Sequence, residues 1–447
     1  MRVYWKNQCI ETLSVLEEAH SEIAECIEKN NIQEAADLLT QCQQGAINVG
    51  NLIEESEGEE CQEIRQLELY CELSYQVYED LLNGSSINSR KIVKNLNKPL
   101  LRVIEGLQNN IRSTKEIVFL PYKASMWDSL ESVWREMSAS SDCKAIVVPI
   151  PYFDRNPDGS FREMHYEIGQ YPPDVPVVSY KDYNIQQRHP EAIYIHNPYD
   201  ESNYVTSVHP DFYSSKLKDY TDELVYIPYF VLDEVDSSNT VAMKGIEHFI
   251  TVPAVFHADK VIVQSEEMRK VYVEVLTQRS GEDTRSYWEN KIEGTGSPKI
   301  YRVSNLKDTD YVLPKEWQKI VNRADGSRKK VILYNTGISA MLQSNDEMLN
   351  KIERNFEVFK EHLDDIALLW RPHPLIEATL TSMRMELWER YREIVRKYRE
   401  EGWGIYDDSA ELDRAIAISD AYYGDASSVV QLYKKTGKPI MIQNVYV

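Results

Sequence analysis

Residues 421–442 read AYYGDASSVVQLYKKTGKPIMI, in which two apolar runs flank a short polar and helix-like segment. The first run ends at Gly424, and Asp425, Ser427 and Ser428 follow soon after it. An apolar run, an amphipathic segment and a second apolar run predict a strand, a helix and another strand. This stretch therefore predicts a βαβ unit of a parallel sheet, with a helix that begins at Ser427.

The junction between strand and helix has the chemistry of an anion site. A helix that begins at Ser427 presents unpaired backbone N–H groups and a partial positive charge. Asp425 can cap that helix, and the hydroxyls of Ser427 and Ser428 add donors for phosphate oxygens. Aspartate and serine are also common helix caps, so a purely structural junction is the alternative interpretation.

Residues 329–447 as a whole continue this alternation of apolar runs with segments of helical length. Such alternation predicts a doubly wound domain, in which helices cover both faces of a parallel sheet. The chain ends soon after its last predicted strand, without the returning helix usual in two-domain folds of this type. We therefore expect either a truncated chain or an unusual member of the class. The predicted strands are 329–335, 366–372, 402–408, 421–425 and 439–442, and the predicted helices are 345–363, 378–400 and 409–418.

Residues 113–303 predict a first domain of the same kind. Their apolar runs are rich in Val and Ile and lack polar alternation, which is typical of strands buried on both faces. A polar segment with Pro and Gly at 304–328 predicts a linker between the two domains. We thus predict an α/β fold with two Rossmann-like domains. The predicted strands of the first domain are 115–122, 144–152, 175–180, 191–198, 223–231 and 259–265.

Residues 1–112 differ from the rest of the chain, because they are rich in Glu, Gln, Leu and Ile and contain no proline before Pro99. Apolar residues recur there at helical spacing in three segments, which predicts a helical bundle or hairpin. This region carries no visible catalytic grouping. Two roles are open for it: packing onto the rest of the chain, or forming a homo-oligomer with a second copy.

Composition narrows the functional classes. The 447 residues carry a net charge of −22, which argues against a general nucleic-acid binder and against electrostatic adhesion to anionic membranes. The sequence has no secretory h-region and no apolar run that approaches the length of a membrane span. Its six cysteines form no CxxC pair, which favours reduced thiols. We expect a cytoplasmic protein, either free or peripheral to the inner face of the membrane.

Two further strand ends in the second domain carry polar residues. Thr336 and Gly337 follow its first predicted strand, and Arg371 and His373 follow its second. Ligands of parallel sheets bind beyond the carboxyl ends of the strands. If these strands are neighbours of the one that ends at Gly424, all three polar groups line one edge of the sheet.

The segment RPHP at 371–374 favours a functional histidine. The two prolines restrict the loop on either side of His373. An imidazole aimed in this way can donate a hydrogen bond to a phosphate or to a leaving group. Arg371 could add a bidentate donor, or it could pair with a nearby acid.

These residues carry a resemblance to a known family. LLWRPHP at 368–374, followed by SDAYYGDASSVVQLYKKTGKPIMI at 419–442, resembles the C-terminal domain of the CDP-glycerol glycerophosphotransferase family. This family comprises teichoic-acid-type polymerases and primases with the GT-B fold. The resemblance covers 329–442, whereas 115–303 shares only the architecture.

The resemblance implies a set of site residues and ligands. His373, Asp425, Ser427 and Ser428 would handle the diphosphate of a nucleotide-activated donor. The loop that contains Thr336 and Gly337 would lie near the nucleotide. Arg371 is a further candidate for the donor site on the ground of its position in RPHP alone. The implied donor is CDP-glycerol, used as a substrate, with a polyol phosphate or a glycan as acceptor and no separate cofactor.

One departure from the family concerns the catalytic base. The first domain of the family carries a His-Gly-Thr-Pro-Leu-Lys motif, and no such string occurs in this sequence. His196, which directly follows a predicted strand, is our candidate for this role. A structural histidine is the alternative for it and for the other histidines considered. The further candidates are His165, His209, Asp233 and Glu234.

The segment DRNPDGS at 154–160 begins like a calcium-binding loop. The twelfth position of such a loop is His165 here, where a bidentate glutamate is needed, and Pro157 interrupts the pattern. We interpret the segment as a turn and predict no metal site.

Taken together, these patterns predict a GT-B transferase that moves glycerol phosphate, or a related group, from a CDP-activated donor to an acceptor hydroxyl in cell-surface polymer synthesis. One alternative is a sugar-nucleotide-dependent GT-B glycosyltransferase. The other is a non-catalytic relative that acts as a binding or assembly module through its helical N-terminal region.

Overall fold

The computed structural model describes residues 1–84, 88–305, 311–409 and 411–443, and the chain divides into two compact units. The first unit comprises Met1–Glu116 and Ser140–Lys144, and the second comprises Ile117–Ala139 and Ala145–Val447. Within the predicted linker, residues 306–310 lie outside the described part of the chain. No helix in the described ranges is long and apolar enough to cross a bilayer.

The first unit is a bundle of four helices, each of which packs against the next, with α1 also packing against α4. The sequence pattern indicated only three of these helices. The fourth contains Pro99, which removes a backbone donor, and Asn88 caps it by accepting the N–H of Lys91 at 3.0 Å. The helices are α1 (Val3–Glu28), α2 (Ile32–Glu57), α3 (Gln62–Leu82) and α4 (Ser89–Asn109).

The second unit begins with a six-stranded sheet of order β2-β1-β5-β7-β8-β9, in which the pairs from β1 to β9 are parallel. Strands β3, β4 and β6 form a separate antiparallel sheet. The segment 154–160, which begins like a calcium-binding loop, contains the end of β3 and the turn to β4. Gly159 adopts a φ of 84° in this turn. The strands are β1 (Lys115–Leu120), β2 (Cys143–Val147), β3 (Tyr152–Arg155), β4 (Phe161–His165), β5 (Ala192–Ile195), β6 (Thr206–Val208), β7 (Glu223–Tyr226), β8 (Lys260–Ile262) and β9 (Ile292–Glu293).

One predicted strand of this part, 175–180, is wrong. It makes only an isolated bridge between Val147 and Val177. Pro176 has no N–H to donate to a ladder, so a regular strand cannot continue through this position.

Helices surround the first parallel sheet and connect its strands. Its core consists of Val, Ile and Leu side chains from the strands together with apolar residues of the covering helices. The helices are α5 (Glu131–Ala139), α6 (Ile185–Arg188), α7 (Ser214–Leu217), α8 (Thr240–Ile250), α9 (Pro253–His257), α10 (Glu266–Ser280), α11 (Arg285–Lys291) and α12 (Pro298–Ser304).

The second parallel sheet has five strands in the order β12-β11-β10-β13-β14. Strand β10 lies between β11 and β13, so the three polar groups predicted at strand ends do lie along one edge. Together with the preceding helical region, the two doubly wound sheets confirm the predicted α/β, GT-B-like fold class. The strands are β10 (Lys330–Thr336), β11 (Ile366–Pro372), β12 (Ile405–Tyr406), β13 (Ala421–Gly424) and β14 (Ile440–Ile442). The helices are α13 (Lys315–Val321), α14 (Ile338–Lys360), α15 (Ile376–Met383), α16 (Met385–Glu401), α17 (Leu412–Ile418) and α18 (Ser428–Lys434).

Helix α12 connects the two sheets through ion pairs as well as through the chain. Lys299 pairs with the partly buried Asp128 beside the first sheet at 2.8 Å. Arg302 pairs with Glu131 of α5 and also with Asp413 of α17, in the second half of the unit. The helix therefore ties the carboxyl-end regions of both sheets together.

Candidate functional site

A cavity of about 410 Å³ lies between the carboxyl-end regions of the two parallel sheets. On one side, Lys123 and Ser125 follow β1, and Glu167 follows β4. On the other side, the RPHP loop follows β11, and the loop after β12 and helices α15 and α16 complete the wall. Clefts at this position in open α/β sheets are where ligands bind.

His373 reaches this cavity with a defined tautomer. Its backbone N–H donates to the carbonyl of Thr336 at 2.9 Å, and its Nδ1 accepts the N–H of Leu375 at 3.1 Å. Because Nδ1 is an acceptor, the proton of the neutral ring is on Nε2. Burial, with the positive charges of Lys123 and Lys299, lowers the pKa of His373 to about 4. At neutral pH the ring is therefore an uncharged donor through Nε2.

Lys123 is the second donor of the cavity, and the sequence analysis did not identify it. The residue is only 7% exposed, and its Nζ lies 4.6 Å from the ring centre of Tyr152. Within the described residues, its ammonium group makes no hydrogen bond or ion pair. Burial lowers the pKa of Lys123, although nearby carboxylates oppose this effect. A buried cation without a counter-ion costs stability, which marks Lys123 as a candidate ligand contact.

Arg371 also lines the cavity, but its charge is already paired. Its guanidinium donates to Asp407 at 2.5 Å and to the carbonyl of Ser409 at 2.7 Å. Both Arg371 and Asp407 are buried. This arrangement holds the loops after β11 and β12 together. Of the two alternatives that the sequence left open for Arg371, it is the pairing with a nearby acid.

The junction between β13 and α18, predicted to bind a diphosphate, is capped by Ser427 and not by Asp425. Ser427 is the N-cap of α18, because its hydroxyl accepts the N–H of Val429 at 3.2 Å. Asp425 does not cap this helix. Its carboxylate instead accepts the N–H of Gly337 at 2.8 Å and pairs with Lys351 at 2.9 Å. The reason is that Lys351 is almost fully buried and needs a counter-ion.

Asn335, at the end of β10, joins this junction to the RPHP loop. Its amide group donates to the carbonyl of Arg371 at 2.8 Å, and its carbonyl oxygen accepts from the Ser427 hydroxyl at 2.8 Å. Of the second-domain residues predicted for the site, Arg371 and His373 line the cavity. The others lie at the same sheet edge without lining it: Thr336, Gly337, Asp425, Ser427 and Ser428.

The structure does not bring His196 to the cavity. Its side chain is fully buried, Nε2 accepts the N–H of Tyr122 at 3.2 Å, and Nδ1 lies 2.8 Å from the Ser129 hydroxyl. Burial and the charge of Lys299 lower the pKa of His196 to about 3. In this arrangement a neutral His196 holds the end of β5 against the loop after β1.

The alternative bases are also placed outside the cavity. His165 contacts Asp154 at 2.9 Å, and the His209 ring accepts the N–H of Asp211 at 3.2 Å. Asp233 pairs with Lys434, and Glu234 accepts from Ser265. Among the described residues of the predicted first domain, the carboxylate that does line the cavity is Glu167, which follows β4 of the antiparallel sheet.

The lowered pKa values of His196 and His373 predict how stability depends on pH. Because the folded-state pKa values of His196 and His373 are lowered, protonation favours the unfolded chain, and stability falls as pH decreases below about 6.5. His196 alone adds a slope of up to about 1.4 kcal/mol per pH unit. Urea denaturation between pH 7.5 and pH 5.5 measures this slope. The slope should decrease in His196→Asn and stay unchanged in His209→Asn; equal slopes in both variants would contradict the assignment.

Comparisons with known proteins find similarity only among solved structures. No family model matches the sequence, and no curated protein matches it. The structure of Staphylococcus aureus MnaA with UDP is 12% identical, with a TM-score of 0.44 over 74% of this chain and 79% of that one.

Two other solved structures resemble the chain to a similar degree. Methanocaldococcus jannaschii UDP-GlcNAc 2-epimerase, in complex with UDP-GlcNAc and UDP, is 13% identical, with a TM-score of 0.42 over 73% of this chain and 83% of that one. The α,α-trehalose 6-phosphate synthase of Burkholderia multivorans is 10% identical, with a TM-score of 0.35 over 74% and 86%. Similarity at this level does not assign a ligand to the cavity.

Proposed function

We propose that this protein is a transferase that takes a group from a nucleotide-diphosphate donor and passes it to an acceptor hydroxyl. The donor phosphates would occupy the cavity between the two parallel sheets. The observation that carries the proposal is the meeting of two donors there: Lys123 from the first sheet and His373 from the second. One is a cation without a partner in the described residues, and the other offers a free Nε2–H.

These two groups suit the chemistry of phosphoryl leaving groups. Negative charge develops on the leaving phosphate as its bond to the transferred group breaks. Preorganised donors in a site sheltered from water stabilise such charge more strongly than water does. Lys123 would supply a full charge, and His373 would supply a directed hydrogen bond from a loop held by two prolines and by Thr336. Because the wall is shared by both sheets, closure of the cleft would assemble both donors around the ligand.

Two donor classes fit this proposal. CDP-glycerol, which would release CMP, is favoured by the resemblance of the RPHP and Asp425–Ser428 segments to glycerophosphotransferases. A nucleotide sugar, which would release a nucleoside diphosphate, places the same diphosphate beside the same donors. The Ser427–Ser428 junction stays a predicted contact of either donor, since Asn335 ties it to the RPHP loop.

A thermal-shift screen distinguishes these donors. The ligands are CDP-glycerol, CMP, CDP, UDP, UDP-glucose, UDP-N-acetylglucosamine and a GDP-sugar. We expect stabilisation by at least one series, since a ligand that binds the folded chain raises its melting temperature by mass action. Stabilisation by cytidine compounds alone supports glycerol-phosphate transfer, and preference for uridine or guanosine compounds supports sugar transfer. No response to any nucleotide would contradict the proposal and favour a non-catalytic assembly module.

A further inference from the structure

Among the residues that the structure describes, four carboxylates face the cavity, and two of them are already paired with arginine. Asp407 is buried and pairs with Arg371 at 2.5 Å, and Asp408 pairs with Arg399. Asp407 also accepts the backbone N–H and the hydroxyl of Ser409, so both of its oxygens already have donors. A carboxylate held in this way has less accepting capacity left for an acceptor hydroxyl. Glu167 and Glu377 are the other two.

Of these two, Glu167 is the one that the fold holds in place. Its Oε1 accepts the hydroxyl of Tyr152 at 2.6 Å, and its Oε2 accepts the backbone N–H of Ala124 at 2.8 Å. Both partners are uncharged, and each carboxylate oxygen keeps a further lone pair. Glu377, in the first turn of α15, is exposed, and no described residue bonds to its carboxylate.

The position of Glu167 relative to the two donors matters as much as its own contacts. Lys123, Glu167 and His373 line the same cavity. Burial lowers the pKa of both Lys123 and His373; the charge of Glu167 opposes this effect at Lys123, and the charge of Lys123 adds to it at His373. Lys123 follows a strand of the first parallel sheet, Glu167 follows a strand of the antiparallel sheet beside it, and His373 follows a strand of the second parallel sheet. A donor whose phosphates lie against Lys123 and His373 would therefore have an oriented carboxylate in the same cavity.

We propose that Glu167 is the general base of the transfer, an assignment that rests on the proposed function. The acceptor hydroxyl oxygen forms a bond to the electrophilic centre of the donor while its proton passes to Glu167. The bond between that centre and the leaving phosphate oxygen breaks, and the phosphate keeps the electron pair and accepts hydrogen bonds from Lys123 and His373. The proton on Glu167 then returns to solvent. Tyr152 and Ala124 act as positioning groups for the carboxylate.

Glu167→Gln tests this role, and Glu377→Gln tests the competing carboxylate of the cavity. Glu163→Gln is the control, because Glu163 is an exposed residue of β4 that does not line the cavity. Turnover is measured as release of CMP from CDP-glycerol and of UDP from UDP-glucose and UDP-N-acetylglucosamine, with water and with glycerol as acceptors. Because general-base catalysis contributes about 10²- to 10⁴-fold, Glu167→Gln should lower kcat by this factor. The same variant should keep its thermal shift with CDP or UDP, and the acid limb of its pH–rate profile should disappear. Glu163→Gln should keep both the rate and the limb.

Further outcomes separate this inference from the proposed function. Tyr152→Phe should lower kcat by a smaller factor than Glu167→Gln and should leave the acid limb in place, because the carboxylate is still present. Unchanged turnover in Glu167→Gln, or a larger loss in Glu377→Gln, overturns the assignment to Glu167. Wild-type protein that binds a nucleotide without releasing any product also overturns it. Wild-type protein that binds no nucleotide overturns the proposed function itself.

Discussion

Replacing Lys123 by methionine should lower the affinity for a nucleoside diphosphate by about 30- to 1,000-fold, which corresponds to about 2–4 kcal/mol. Methionine has a similar length and keeps the contact with the Tyr152 ring, but it removes the charge. Without ligand, the variant should be at least as stable as the wild type. Lys123 is buried and lacks an ionic partner in the described residues, so its charge costs free energy until a ligand neutralises it.

Lys181→Met is the matched control for this experiment. Lys181 also lies over a tyrosine ring, 5.9 Å from the centre of Tyr180, but it is exposed and does not line the cavity. Titration calorimetry with CDP and UDP should show wild-type affinity for this variant. Urea denaturation gives the stability of both variants. Equal affinities for the two variants, or a large loss of stability in Lys123→Met alone, would contradict a ligand-binding role for Lys123.

Replacing Lys351 by methionine should lower the free energy of unfolding by about 3–5 kcal/mol. The Lys351 side chain is 1% exposed and pairs with Asp425, itself 5% exposed at the side chain, at 2.9 Å. The substitution leaves a buried carboxylate whose remaining bond in the described residues is to the N–H of Gly337. That bond links the end of β10 to the segment after β13, so the loss should loosen the predicted donor edge.

Two further variants check the origin of this effect. Lys351→Met combined with Asp425→Asn removes both charges and should recover part of the lost stability. Lys360→Met, on the same helix, breaks a half-exposed pair with Glu401 and should cost less than about 1 kcal/mol. Urea denaturation at pH 7 measures all three. A loss in Lys351→Met no larger than in Lys360→Met would show that the Lys351–Asp425 pair does not stabilise this edge.

The sheets were predictable because their strands are unusually clear in the sequence. Residues 329–335 and 366–372 are long apolar runs, and each corresponds closely to a strand, β10 and β11. A strand buried on both faces needs apolar side chains at every position, so it appears as a continuous run. The same logic failed at 175–180, where Pro176 interrupts a run that is otherwise rich in valine.

The site was predictable only in part. His373 could be found because strand order and the two prolines place it at the ligand-binding edge. His196 has the same local signal, a histidine directly after a buried strand, and only its hydrogen bonds with Tyr122 and Ser129 reveal its structural environment. Asp425 looked like a cap, but a lysine 74 residues away in the chain takes its carboxylate. Such long-range pairings leave no trace in local spacing.

The position of Lys123 at the ligand-binding edge was predictable from the sequence. It follows the first strand of the first sheet, at the edge where ligands of such sheets bind. Position alone would have made it a candidate. Glu167 is different, because it follows a short strand of the antiparallel sheet, and its approach to the cavity depends on how β3 and β4 fold back beside β1.

We propose that the cavity between the two sheets binds a diphosphate through Lys123 and His373. A crystal structure with CDP or UDP tests this binding mode most directly. The distances to measure join the phosphate oxygens to Lys123 Nζ and to His373 Nε2. We expect both distances to fall in the range of charge-assisted and ordinary hydrogen bonds, about 2.7–3.2 Å. A nucleotide bound with its phosphates away from both groups would contradict the account.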